Sequence, residues 1–119
     1  MKRLILNLAP SLAAFALSLD ALAASGDVTN GAALAKKYNC ASCHGADYKT
    51  PIDPSYPKLA GQHADYLAHA LLTYKRGGKA INGRNNAIMA GMAQPLSDKD
   101  MADIAAYLHS LPGPLVIRR

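Results

Sequence analysis

The 119-residue chain is long enough for one small domain and too short for two. Half its residues are hydrophobic, yet it has six Tyr, one Phe and no Trp, so a disulfide, metal or cofactor is expected to complete a thin core. Thirteen Lys and Arg against eight Asp and Glu give a formal charge of +5, but no basic run interleaves with aromatics, which excludes a nucleic-acid partner as a reading.

The first segment has the pattern of a cleaved targeting peptide. Lys2 and Arg3 form a basic start, Leu4 to Leu19 is mostly Leu, Ala, Ile and Phe, and Ala21-Leu22-Ala23 supplies the small residues a signal peptidase reads. A membrane anchor would need about 20 continuous apolar residues. Pro10, Ser11, Ser18 and Asp20 interrupt this run. The expected division is therefore a signal peptide over 1–23 and a domain over 24–119, with cleavage after Ser25 as the second option. Cleavage takes away two positive charges and one negative, leaving about +4. Export implies a periplasmic, oxidising location with no integral membrane segment in the mature chain, where two cysteines would ordinarily form one disulfide. The remaining positive residues are scattered, which suits a solvated surface or docking to an acidic partner protein.

Three helices can be read in chain order. The first runs from near Asp27 or Thr29 towards Asn39, with Val28, Ala32, Ala35 and Tyr38 as its apolar stripe. The second runs from about Ala64 to Arg76. Tyr66, Leu67, Ala70, Leu71 and Tyr74 share one face, and Gly77-Gly78 stops it. The third begins at Ser97, whose spacing to Asp100 is that of a capping box. Met101, Ile104, Ala105, Leu108 and Leu111 mark its buried face before Pro112-Gly113-Pro114 ends it. Between the helices Pro and Gly punctuate the chain, and no period-two apolar run of strand length occurs. The fold class expected is all-α, with substantial loops that need something to wrap around.

Cys40-Ala41-Ser42-Cys43-His44 has the spacing of c-type haem attachment. Two thiols three positions apart can reach the two vinyl groups of a porphyrin as thioethers, and the following histidine is carried beneath the ring to bind iron. A thioredoxin-like dithiol would need a preceding strand and a βαβ setting. A structural zinc site needs four ligands, and His63, His69 and His109 are isolated in sequence. A simple disulfide with a neighbouring histidine is the bland alternative. For the other side of the iron, a methionine thioether is a soft donor that raises the reduction potential. Met89 and Met92 are the candidates, in the stretch read as a loop between the glycines and the last helix, whereas Met101 belongs to a core stripe.

With these residues stated, the chain resembles a class I c-type cytochrome, and is similar to one half of the two-haem bacterial cytochromes. The resemblance spans roughly residues 27–111 through Cys40–Gly45, Tyr56–Gln62, Met89–Asp98 and Asp103–Leu108. It implies a cytochrome c fold of three to four helices around one covalent haem c, whose iron is ligated by His44 and Met89. Met89 stands seven residues before Leu96, the register of the family's axial methionine, and Met92 is the alternative ligand. The resemblance further implies that the Pro57 carbonyl accepts the ring N–H of His44. Leu59 would pack on the haem face, Tyr66 would lie near the pocket, and Arg84 or Asn85 would bond a haem propionate.

A His/Met pair leaves no open position for substrate, so the implied role is electron carriage, not catalysis. The partners would be a donor and an acceptor protein, met at an exposed haem edge near Lys49 or Lys58. The alternative is the electron-accepting haem subunit of a larger periplasmic dehydrogenase or oxidase. The apolar Leu115–Ile117 of the tail would favour that reading.

Overall fold

The computed structural model describes residues 26–114; the segment over 1–23 read above as a targeting peptide and the apolar tail residues Leu115–Ile117 lie outside them. The described residues form five helices and no strand. They are α1 (Val28–Lys37), α2 (Ala41–His44), α3 (Ala64–Arg76), α4 (Ala87–Ala93) and α5 (Asp98–Ser110). None is long and apolar enough to cross a membrane. The all-helical expectation holds, with two short helices added to the three that periodicity reveals. Neither α2, at four residues, nor α4, at seven, repeats an apolar stripe often enough to be seen by spacing.

Local chemistry sets the ends. Asp27 caps α1 by accepting from the Asn30 amide at 3.0 Å. Gly77, at a φ of 73°, turns the chain out of α3 where Lys75 and Arg76 suit the helix dipole. Ser97 and Asp100 form both halves of the capping box on α5, at 3.1 and 2.9 Å.

The frame is the crossing of α1 and α5. A Cβ on Gly31 would stand 2.0 Å from the Asp103 carbonyl oxygen, so only glycine lets the two backbones approach this closely. Asp103, 1% exposed, cements the crossing from within α5. Its carboxylate accepts from the Asp27 amide at 2.7 Å, the Asn30 side chain at 2.6 Å and the Lys99 ammonium at 2.6 Å. The Lys99 bond, with those from Asn30 and Asp27, outweighs desolvation and holds the Asp103 carboxyl down at about 2. The stripe read on α1 is partly displaced by this geometry. Val28 is exposed, and the buried residues are Gly31 and Ala35.

Among the described residues, four of the ten buried hydrophobic ones are alanines, so the helices have little to pack on by themselves. Ala35, Ala105, Ile104, Leu108 and Met101 join Leu67 and Leu96 in one cluster, with Tyr48 set edge-on against Tyr107 at 5.9 Å. Met101 is core, as its place on the α5 stripe implies.

Candidate haem site

Tyr38 ends α1, and Asn39, at a φ of 52°, reverses the chain so that Cys40 enters α2 with its amide on the Ala35 carbonyl at 3.0 Å. One turn of helix then presents Cys40, Cys43 and His44 together. The turn closes at Gly45, whose φ of 86° and whose closeness to the Thr50 carbonyl forbid a side chain; a Cβ would stand 2.1 Å from that oxygen. The following loop is stitched to the same turn and to α5. Ile52 donates its amide to the Cys43 carbonyl at 3.1 Å, Leu59 and Ala60 donate to the Tyr48 carbonyl, and Gly61 donates to the Leu108 carbonyl.

That loop delivers Pro57. His44 is buried, and its Nδ1 lies 2.9 Å from the Pro57 carbonyl oxygen. Because a carbonyl can only accept, Nδ1 must carry the proton, which leaves Nε2 as the basic nitrogen.

These groups open on a cavity of about 440 Å³, within the range of small-molecule and cofactor sites, roughly 300–1,000 Å³. Its walls bring together the candidate residues Cys40, Cys43, His44, Pro57, Leu59, Tyr66, Arg84, Met89 and also Met92. All five residues of the α3 stripe line it as well, and Leu96, Ile104 and Leu108 close the far side. The apolar faces of α3 and α5 therefore supply much of the wall of this chamber. Met89 and Met92 sit there on α4, not on a loop: Asn86 caps the helix by accepting from the Met89 amide at 2.9 Å. The missed signal was Asn86 itself, a capping residue just before an Ala- and Met-rich run.

Arg84 reaches the cavity as a filled position. Its guanidinium lies 5.4 Å from the ring centroids of both Tyr66 and Tyr74, and Nη2 donates to the Tyr66 hydroxyl at 3.2 Å. The Tyr66 bond is the main cause that raises its pKa further. Asn85 lies outside the lining, and Asn86 and Ile88 take part in its place.

The residues fit a haem and fit the alternatives poorly. The cysteines are not joined to each other, against the plain expectation of a disulfide. Burial raises the Cys40 thiol, the opposite of the depressed pKa a reactive dithiol needs. Among the described residues no group of three or more His, Cys, Asp or Glu could hold a bare metal ion. What the chamber presents is an apolar slot with two thiols and an oriented imidazole on one wall and two thioethers on α4. Such a set suits a flat, apolar, iron-bearing macrocycle.

Fold and site together define a c-type haem domain of the electron-transfer kind. The cytochrome c family model matches residues 28–112, and the chain belongs to that family. It is 48% identical over 71 residues to cytochrome c-554(548) of Halomonas halodenitrificans, covering 60% of this chain and 82% of that protein. It is 43% identical over 94 residues to cytochrome c4 of Stutzerimonas stutzeri, covering 76% of this chain and 43% of the relative. A protein of the same species named thiosulfate dehydrogenase electron acceptor is 38% identical over 105 residues, which cover 87% of this chain and 46% of the other. Among solved structures, reduced recombinant cytochrome c4 from Pseudomonas stutzeri superposes with a TM-score of 0.63 at 40% identity, over 76% of this chain and 48% of that one. The chain thus spans less than half the length of these last relatives and resembles one half of a two-haem cytochrome c4. Its cofactor is a covalent haem c, and it is an electron carrier, not an enzyme.

Proposed function

We propose that the protein is a periplasmic one-electron carrier whose single haem is held by thioethers to Cys40 and Cys43 and ligated axially by His44 and Met89. The observation that carries this reading is the 2.9 Å contact between His44 Nδ1 and the Pro57 carbonyl. It fixes the tautomer with Nε2 free to ligate, in a cavity that Met89 also lines. When bound, the haem supplies a one-electron couple at an iron with no position open to substrate. The chain's own residues orient the imidazole, exclude water with the aliphatic faces of α3 and α5, and offer a thioether that favours the reduced state. Leu59 would pack along the ring, and Arg84, backed by Tyr66 and Tyr74, would bond a propionate and compensate its charge. Lys58 at the cavity wall gives the rim a positive charge suited to brief contact with acidic redox partners.

A second reading has a specific observation in its favour. Relatives named thiosulfate dehydrogenase electron acceptor, in Stutzerimonas stutzeri and Thiomonas intermedia, match this chain at 38% and 36% identity. On that reading the domain accepts electrons from a dehydrogenase partner. Size analysis of the native protein separates the two, because a stable complex with a larger subunit excludes a freely diffusing carrier.

The ligand set is tested on protein matured in a periplasm. Its mass is expected to equal the chain without residues 1–23 plus one haem, and its oxidised spectrum to carry a sulfur-to-iron charge-transfer band. Met89→Ala removes that band, lowers the potential and opens the ferrous iron to carbon monoxide, while Met92→Ala keeps the band. The reverse pattern assigns the ligand to Met92.

A further inference from the structure

Lys75 lies in the last turn of α3 with its side chain half-buried and its ammonium donating to the Leu96 carbonyl oxygen. In the opposite direction, the Gln94 side-chain amide donates to the Lys75 carbonyl oxygen at 2.9 Å. Two reciprocal hydrogen bonds therefore join the end of α3 to the short joint, Gln94 to Leu96, that connects α4 with α5. The side chain is costly to hold there, since a lysine gives up rotamer freedom and part of its hydration for one carbonyl. Among the described residues the single ion pair is Lys99 with Asp103, so no carboxylate explains why Lys75 is drawn in.

The joint matters because of what α4 carries. Seven residues are too few for a helix to hold its own shape, and this one presents Met89 and Met92 to the cavity. Its amino end is held by the Asn86 cap. Its carboxyl end is held by the Lys75–Gln94 pair of bonds, and buried Leu96, which also lines the cavity, follows directly.

We propose that Lys75 is a positioning residue: with Gln94 it clamps the α4–α5 joint to α3 and so keeps the axial methionine at the iron. The inference rests on the Met89 ligation proposed above and deepens it. The clamp acts on how readily the sulfur leaves, which a merely structural side chain would not govern at constant fold. A hydrogen bond from a charged donor carries enough free energy for its loss to change such an equilibrium by about tenfold, equivalent to about 1.4 kcal/mol.

Imidazole titrated into the oxidised holoprotein, followed by loss of the sulfur-to-iron band, reads the clamp directly. Lys75→Met is expected to bind imidazole about tenfold more tightly than the unaltered protein, and Gln94→Ala to shift in the same direction. Lys79→Met, the same charge change at an exposed lysine, is expected to match the unaltered protein. Should Lys75→Met fail to mature with haem, Gln94→Ala examines the same clamp from its other end. If the band is present in the unaltered protein but both clamp variants bind imidazole as it does, or Lys79→Met shifts equally, the clamp is overturned and the ligand reading stands. If the unaltered protein has no such band, the Met89 reading falls, and the clamp with it.

Discussion

Two residues where α1 crosses α5 bear most directly on stability. At Gly31 an alanine would gain about 1 kcal/mol of helix propensity over glycine. Against that, its Cβ would sit 2.0 Å from a backbone oxygen that cannot move alone. Overpacking of this kind costs about 1–3 kcal/mol and sometimes more, so the clash wins. Gly31→Ala is expected to lower the urea midpoint of the holoprotein, and an unchanged midpoint would mean the helices separate freely. Asp103 acts through charge. Its folded pKa of about 2 lies below the ordinary carboxylate value of 3.8, so the stability it contributes is present above pH 3.8 and is lost as pH falls towards 2. Asp103→Ala leaves the Asn30 and Asp27 donors without their acceptor and should cost roughly 1–3 kcal/mol at pH 7. Unfolding curves at pH 7 and pH 2 should show the difference between variant and unaltered protein shrinking in acid.

At the scale of elements, the short helices depend on their caps more than the long ones do. Ser97→Ala removes one half of the α5 capping box, and a loss of about 1 kcal/mol is expected. α5 has thirteen residues and a buried face, so it should persist, with the haem spectrum unchanged. Asn86→Ala costs a similar amount, roughly 0.5–2 kcal/mol. Here the seven-residue α4 has little else within itself, and the lost acceptor belongs to the amide of Met89. The expected outcome differs accordingly: a weakened sulfur-to-iron band and easier entry of added ligands, seen in the oxidised spectrum before any change in overall helicity.

For the molecule as a whole, the cofactor takes the position of a core. A chamber of about 440 Å³ lies beside a core in which, among the described residues, four of the ten buried hydrophobic residues are alanines, and side chains of both α3 and α5 line it. The double variant Cys40→Ala with Cys43→Ala, recovered without haem, is expected to lose cooperative thermal unfolding and near-ultraviolet dichroism. Retention of a sharp transition would show that the polypeptide packs on its own. The Cys40 to Gly45 motif, the α3 and α5 stripes, the Ser97 box and the thinness of the core were all legible in the sequence. Each is a matter of spacing within a dozen residues or of composition, and local chemistry decides it. The tertiary structure decided the rest. It made the α3 stripe a cavity wall, closed Arg84 between two tyrosines, and brought the Pro57 carbonyl to His44 and Lys75 to Leu96. Those outcomes depend on contacts between residues thirteen to more than twenty positions apart, which no local period encodes, because the position of one partner is set by how the whole chain closes around the haem.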